Sequence, residues 1–233
     1  VQRVARFIYP WLYWRRGYPR GSNMEISHGT TVTGADGKFN ISFKAIPDLS
    51  VDKSMEPVFD YIISADITDI NGETRSATAT VPVAYKALQV GIGFTDGQRI
   101  NADSLKAIAV STRNIAGTAE SATVTISISK LQAPGRLIRN RFWQQPDQFT
   151  MSKDEFIKAF PYDEYQNESD YRGWAKEKTY FTKTDTANSP FLIANSQFPQ
   201  GWYAVEASTK DKYGSEVKDI KYIQIYDEKS KAL

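Results

Sequence analysis

The chain has 233 residues, 41% apolar and 24% charged, which is ordinary usage for a folded globular protein and excludes disorder and collagen. Lys and Arg number 29 against 27 Asp and Glu, and a net charge of +2 supplies no general field for nucleic acid. With no Cys and one His, disulfides, thiol catalysis, thiolate metal sites and multi-histidine zinc centres are excluded.

No apolar run approaches the roughly 18–20 residues of a membrane-spanning helix. The sequence opens on Val1 with no signal-peptide pattern, and is expected to be a piece of something longer. Between Arg3 and Arg20 lie five Arg and six aromatics, including Trp11, Tyr13 and Trp14. Such interleaving suits a single-strand nucleic-acid platform or a membrane-interface anchor. It equally suits a strand and long loop whose aromatics cover a small core under Arg stems. Pro10, Gly17 and Pro19 break any amphipathic helix here. The structural reading is preferred, with Trp11, Tyr13 and Trp14 as a candidate contact surface for a neighbouring domain.

His28 lacks the oriented partner and nucleophile that acid–base catalysis needs, and reads as a strand or loop edge. Phe39, Ile41, Phe43 and Ala45 then alternate with polar residues, as do Tyr61, Ile63, Ala65 and Ile67, and later Val124, Ile126 and Ile128. Period two predicts half-buried antiparallel strands. Gly turns separate them at Asp36-Gly37, Asn71-Gly72, Ala116-Gly117 and Tyr213-Gly214. Pro82 lacks the N–H that a central strand donates, so its strand is placed at a sheet edge. The pattern predicts an all-β chain of two tandem antiparallel sandwiches, residues 1–87 and 88–233. About five strands are expected in the first and roughly seven in the second.

One helix is signalled in the second part, near 152–160. Ser152-Lys-Asp-Glu155 has the spacing of a capping box, and Pro161 stops the helix after Phe160. Beyond it, Asp163, Glu164, Glu168 and Asp170 stand among Tyr162, Tyr165, Tyr171 and Trp174. Paired carboxylates beside aromatics suit glycoside hydrolysis or, with oxygen-rich spacing, calcium. The order of a calcium loop is absent, and a solvated polar connection fits as well. Tyr162, Tyr165 and Trp174 are held as a candidate contact surface. No Gly-x-Ser-x-Gly elbow or phosphate loop occurs, and no catalytic residue, cofactor or metal is assigned.

An internal repeat is visible. Tyr61 to Tyr85 lies without a gap on Tyr203 to Asp227, so that Asp69-x-x-Gly72 falls on Asp211-x-x-Gly214 and Val81 on Ile223. A weaker copy is Asn114-x-x-Gly117. In each, the first side chain is expected to accept from turn N–H groups and the Gly to supply a positive φ.

The stretch Thr68 to Ala77, with Tyr61 and Ala65-Asp66-Ile67 before it, resembles the bacterial alpha-2-macroglobulin-like proteins, especially the large Bacteroidetes type. Further pieces are Glu25 to Gly29, Gly37-Lys38-Phe39, Ala45 to Asp48, Trp143 to Asp147, the Glu155 to Pro161 helix, Gly201-Trp202-Tyr203 and Asp211 to Gly214. The resemblance implies fibronectin-type-III-like macroglobulin domains in a large extracytoplasmic protein, periplasmic or associated with the outer membrane, many such proteins being protease traps. The family's bait region and Cys-Gly-Glu-Gln thioester have no counterpart in these residues. The implied role is a non-enzymatic scaffold whose partners are neighbouring domains and, through the parent, target proteases. The competing readings are a carbohydrate-binding or adhesive sandwich module and, on the acidic cluster, a glycosidase.

Overall fold

The computed structural model describes residues 1–7, 23–139, 141–145, 147–193 and 198–228. It is all-β and sandwich-like, with 45% of residues in strands and one α-helix among the described residues. Two compact units divide it: Val1–Leu88 with Asn114–Thr118, and Gln89–Arg113 with Ala119–Leu233.

The first unit carries one antiparallel sheet among its described residues. Its strands are β1 (Gln2–Phe7), β2 (Met24–Glu25), β3 (Pro57–Thr68) and β4 (Thr74–Ala84), in the order β2-β1-β3-β4. β4 is an edge, and Pro82 faces Asp60 across the ladder. The turn bond from Asp69 N–H to the Glu73 carbonyl sets the phase. Counting outward by antiparallel alternation, Pro82 falls at a non-bonded position, where its missing N–H would point away from β3. Val51, Met55, Val58, Phe59 and Tyr61 form the buried apolar cluster. Beside them Arg3 donates to Asp48 at 3.0 Å, both side chains nearly inaccessible. The Ser50 hydroxyl, followed by the Ser50 N–H and Arg3, holds the Asp48 carboxyl below its ordinary range despite burial.

The alternating stretch from Lys38 to Ala45 is not a strand, contrary to expectation. Alternation sets which side chains face inward, but a strand also needs a hydrogen-bonded partner, and no described strand pairs with this stretch. Two side chains tether the stretch instead: Arg3 Nη1 and the Tyr61 hydroxyl both donate to the Ile46 carbonyl, at 2.9 and 2.8 Å. Phe43 rests on the Tyr61 ring, with centroids 5.3 Å apart.

The second unit has two layers. The larger contains β6 (Gln98–Asn101), β9 (Thr123–Leu131), β10 (Lys176–Thr186), β12 (Gly201–Lys210) and β13 (Glu216–Tyr226), in the order β10-β9-β12-β13-β6. All pairings are antiparallel except β6 with β13. The smaller layer pairs β5 (Leu88–Ile92) with β8 (Val110–Asn114), and β7 (Ala107–Ile108) with β11 (Phe191–Leu192). Only Ala109 separates β7 from β8, and it accepts from Gly93 N–H at 2.8 Å, so these pairs continue one another. Val124, Ile126, Ile128, Val205, Val217 and Ile223 are fully buried, as are Ile108 and Phe191 of the smaller layer. Fully burying a side chain of this size contributes about 1.5–3 kcal/mol, so these residues dominate the unit's stability. The buried Asp219 of β13 accepts from Ile92 N–H at 2.9 Å, which ties β5 to the larger sheet.

The helix, α1 (Lys153–Ala159), carries both halves of the capping box: Glu155 N–H on the Ser152 hydroxyl, and Ser152 N–H on Glu155. It lies within the long connection from β9 to β10. Two turns are too few to persist alone, so packing must hold it.

Candidate functional site

The repeated turns share one geometry. In the β3–β4 connection Asp69 N–H bonds the Glu73 carbonyl and Gly72 N–H bonds the Asp69 carbonyl. Asp69 Oδ1 accepts from Asn71 and Glu73 N–H at 2.8 and 2.9 Å. Between β12 and β13 the set recurs: Asp211 with Ser215, Gly214 with Asp211, and Asp211 Oδ1 accepting from Tyr213 and Ser215, both at 2.9 Å. At the third turn Asn114 Oδ1 accepts from Thr118 N–H at 3.0 Å. The glycines have φ of +85° at Gly72, +88° at Gly117 and +84° at Gly214, the left-handed region that favours glycine.

Because the turns match, the registers match. Tyr61 faces Val81 and Tyr203 faces Ile223; Ala65 faces Ala77 and Ala207 faces Asp219. Both tyrosines are buried yet send the hydroxyl to an upstream carbonyl, Tyr61 to Ile46 and Tyr203 to Pro199 at 2.6 Å. Burial raises both phenol pKa values, so both hydroxyls stay protonated and donate. The second contact has the form of the tyrosine corner of immunoglobulin-like sandwiches. The hairpins differ in cover: Val81 is 41% exposed, whereas Ile223 is fully buried.

Of the proposed contact residues, Trp11, Tyr13 and Trp14 lie outside the described residues. The other three belong to the β9–β10 connection. Tyr162 is 56% exposed. Tyr165 is half-buried, packs on Phe149 and Phe156 with centroids 4.3 and 5.3 Å away, and donates to the Met151 carbonyl at 2.8 Å. It holds α1 rather than facing outward. Trp174 is half-buried and its indole N–H donates to the Glu168 carbonyl at 2.7 Å.

The acidic side chains are each engaged. Asp163 pairs with Arg139. Glu164 accepts from the N–H and hydroxyl of Ser169. Glu168 bridges Gln166 N–H and the Lys153 ammonium, at 2.7 and 3.0 Å. Asp170 caps the short turn at Tyr171–Gly173 by accepting from Arg172 N–H. Burial works to raise the Glu168 carboxyl, but its N–H and Lys153 partners outweigh it and leave the group below its ordinary range. A glycosidic general acid needs the opposite direction. Arg136 and Arg141 add donors to the carbonyls of residues 161 and 163–166. His28 is exposed, with Nδ1 at 2.9 Å from Glu25. No cluster of three or more metal-ligating side chains occurs among the described residues.

One fastening has no counterpart in the sequence reading. Tyr171 stacks on Trp202 with centroids 3.9 Å apart and planes 12° from parallel, while Arg172 pairs with Asp96 at 2.7 Å. Asp96 also accepts from Tyr222 N–H at 3.0 Å. Burial foremost, with Asp96 nearby, raises the Tyr171 phenol pKa. This clamp fixes the end of the β9–β10 connection on β12 and β13. No sequence signal joins Asp96 to Arg172, far apart in the chain.

The class these features define is an all-β, sandwich-like protein with register-matched hairpins and a clamped, helix-bearing connection. No family model matches the chain, and no curated protein matches it.

Proposed function

We propose that this chain is a non-catalytic scaffold segment of a large bacterial alpha-2-macroglobulin-like protein, part of an extracytoplasmic protease-trapping system. The carrying observation is the pair of register-matched hairpins, each with the same five-residue turn and a buried tyrosine tied to an upstream carbonyl. A hairpin of one geometry repeated in successive units is what such a scaffold, built from tandem related domains, would carry. The carboxylates after α1 serve the fold of their own connection, each taken by an intrachain partner, which is consistent with this reading. Its work is to space neighbouring domains and to repack when the parent is cut.

The test is an assay of a general protease against casein, with this chain or with the full-length parent added. The chain alone should leave proteolysis unchanged, and the parent should suppress it. Stoichiometric inhibition by the chain alone, or none by the parent, overturns the proposal.

A further inference from the structure

We propose that the β9–β10 connection carries a binding cleft for a short neutral oligosaccharide. A shallow, open cleft of about 660 Å3 lies among Gln132, Gln145, Gln166, Asn167, Glu168 and Trp174, with the four carboxamide residues exposed. An open cleft of this kind suits an extended ligand lying along the surface rather than one enclosed in a cavity.

The wall chemistry selects the ligand. Four carboxamides line the cleft, and no other described residue engages any of their side chains. Each carboxamide both donates and accepts, as a sugar hydroxyl does, so adjacent hydroxyls can be met in pairs. The one charge in the wall, Glu168, is neutralised by Lys153 and held by Gln166 N–H. An ionic ligand therefore finds no free counter-charge there. Trp174 adds indole surface of the kind that packs against the C–H face of a pyranose, and its N–H is already satisfied by the Glu168 carbonyl. Gly135 and Gly173 also line the cleft, with open space where a Cβ would stand.

The side of the wall formed by residues 164–173 is tied down within the chain. Arg141 grips the carbonyls of Glu164, Tyr165 and Gln166, Glu164 caps Ser169, and the Arg172–Asp96 pair anchors the far end. A pre-ordered wall spares the entropy that a loose loop loses on binding.

The experiment titrates the whole chain with cellotetraose, laminaritetraose, mannotetraose and chitotetraose by calorimetry, with a polygalacturonate oligomer as the charged comparison. At least one neutral probe should bind saturably and shift the side-chain amide NMR signals of Gln145, Gln166 and Asn167. The Gln166→Ala/Asn167→Ala variant alters exposed positions; with an unchanged unfolding midpoint it should bind about tenfold or more weakly. Should that variant unfold, Gln145→Ala with the NMR readout tests the same wall. The proposal fails if no neutral probe binds, if binding survives these substitutions undiminished, or if the charged oligomer is preferred.

Discussion

Replacing Gly214 by Ala isolates the conformational demand of the repeated turn. Gly214 sits at φ +84°, and a Cβ built there meets no atom within 4 Å. Steric clash with the rest of the chain therefore contributes nothing, and the whole cost is that of holding an L-residue in the left-handed region. That cost is about 1–2 kcal/mol. With a urea dependence of about 2 kcal/mol per molar, the unfolding midpoint of the second unit should fall by about 0.5–1 M. Asn tolerates this conformation better, so Gly214→Asn should recover most of the loss. Urea titration read by tryptophan fluorescence, with the slope checked for constancy, measures the shift. An unchanged midpoint for Gly214→Ala, or a loss above about 3 kcal/mol, would refute the reasoning, since neither fits a strained but unobstructed turn.

Further outcomes follow from the same contacts. Asp69→Asn should be nearly neutral, because both turn N–H groups use Oδ1, while Asp69→Ala should cost about 1 kcal/mol in chemical denaturation. Ile126→Ala, at a fully buried site, should cost the second unit about 3 kcal/mol by the same measurement. Arg172→Ala should release the clamp on Asp96 and speed hydrogen exchange at Tyr171–Gly173, leaving β9 unaffected. The lowered Asp48 pKa stabilises the first unit fully above the unfolded value of about 3.9, and the contribution is lost as pH falls through the lower folded value. Acid titration should show this loss in the first unit, and Asp48→Asn should flatten it.

The features legible in the sequence are those in which local chemistry decides. The Asp-x-x-Gly spacing encodes its own hydrogen bonds, so the turns at Gly72 and Gly214 follow from it. Ser152 and Glu155 specify the start of α1 in the same way. The Lys38 to Ala45 alternation misleads because a periodic face carries no information about a partner edge. Asp219 occupies the apolar phase of β13, where spacing cannot foretell that a distant N–H, that of Ile92, receives it. Tyr165 and Trp174 look like surface aromatics in sequence, yet each packs or bonds within its own connection. The cleft wall escapes a motif search because carboxamides at irregular spacing have no signature; only the fold gathers Gln132 with Gln166.

The central claim is best tested on the full-length parent after exposure to a protease. The bound protease would be assayed against a small chromogenic peptide and against a large protein substrate. Trapping predicts that peptide hydrolysis is retained while hydrolysis of the large protein falls sharply, because an enclosed enzyme admits only small substrates. Equal rates on both substrates, with and without the parent, would contradict it.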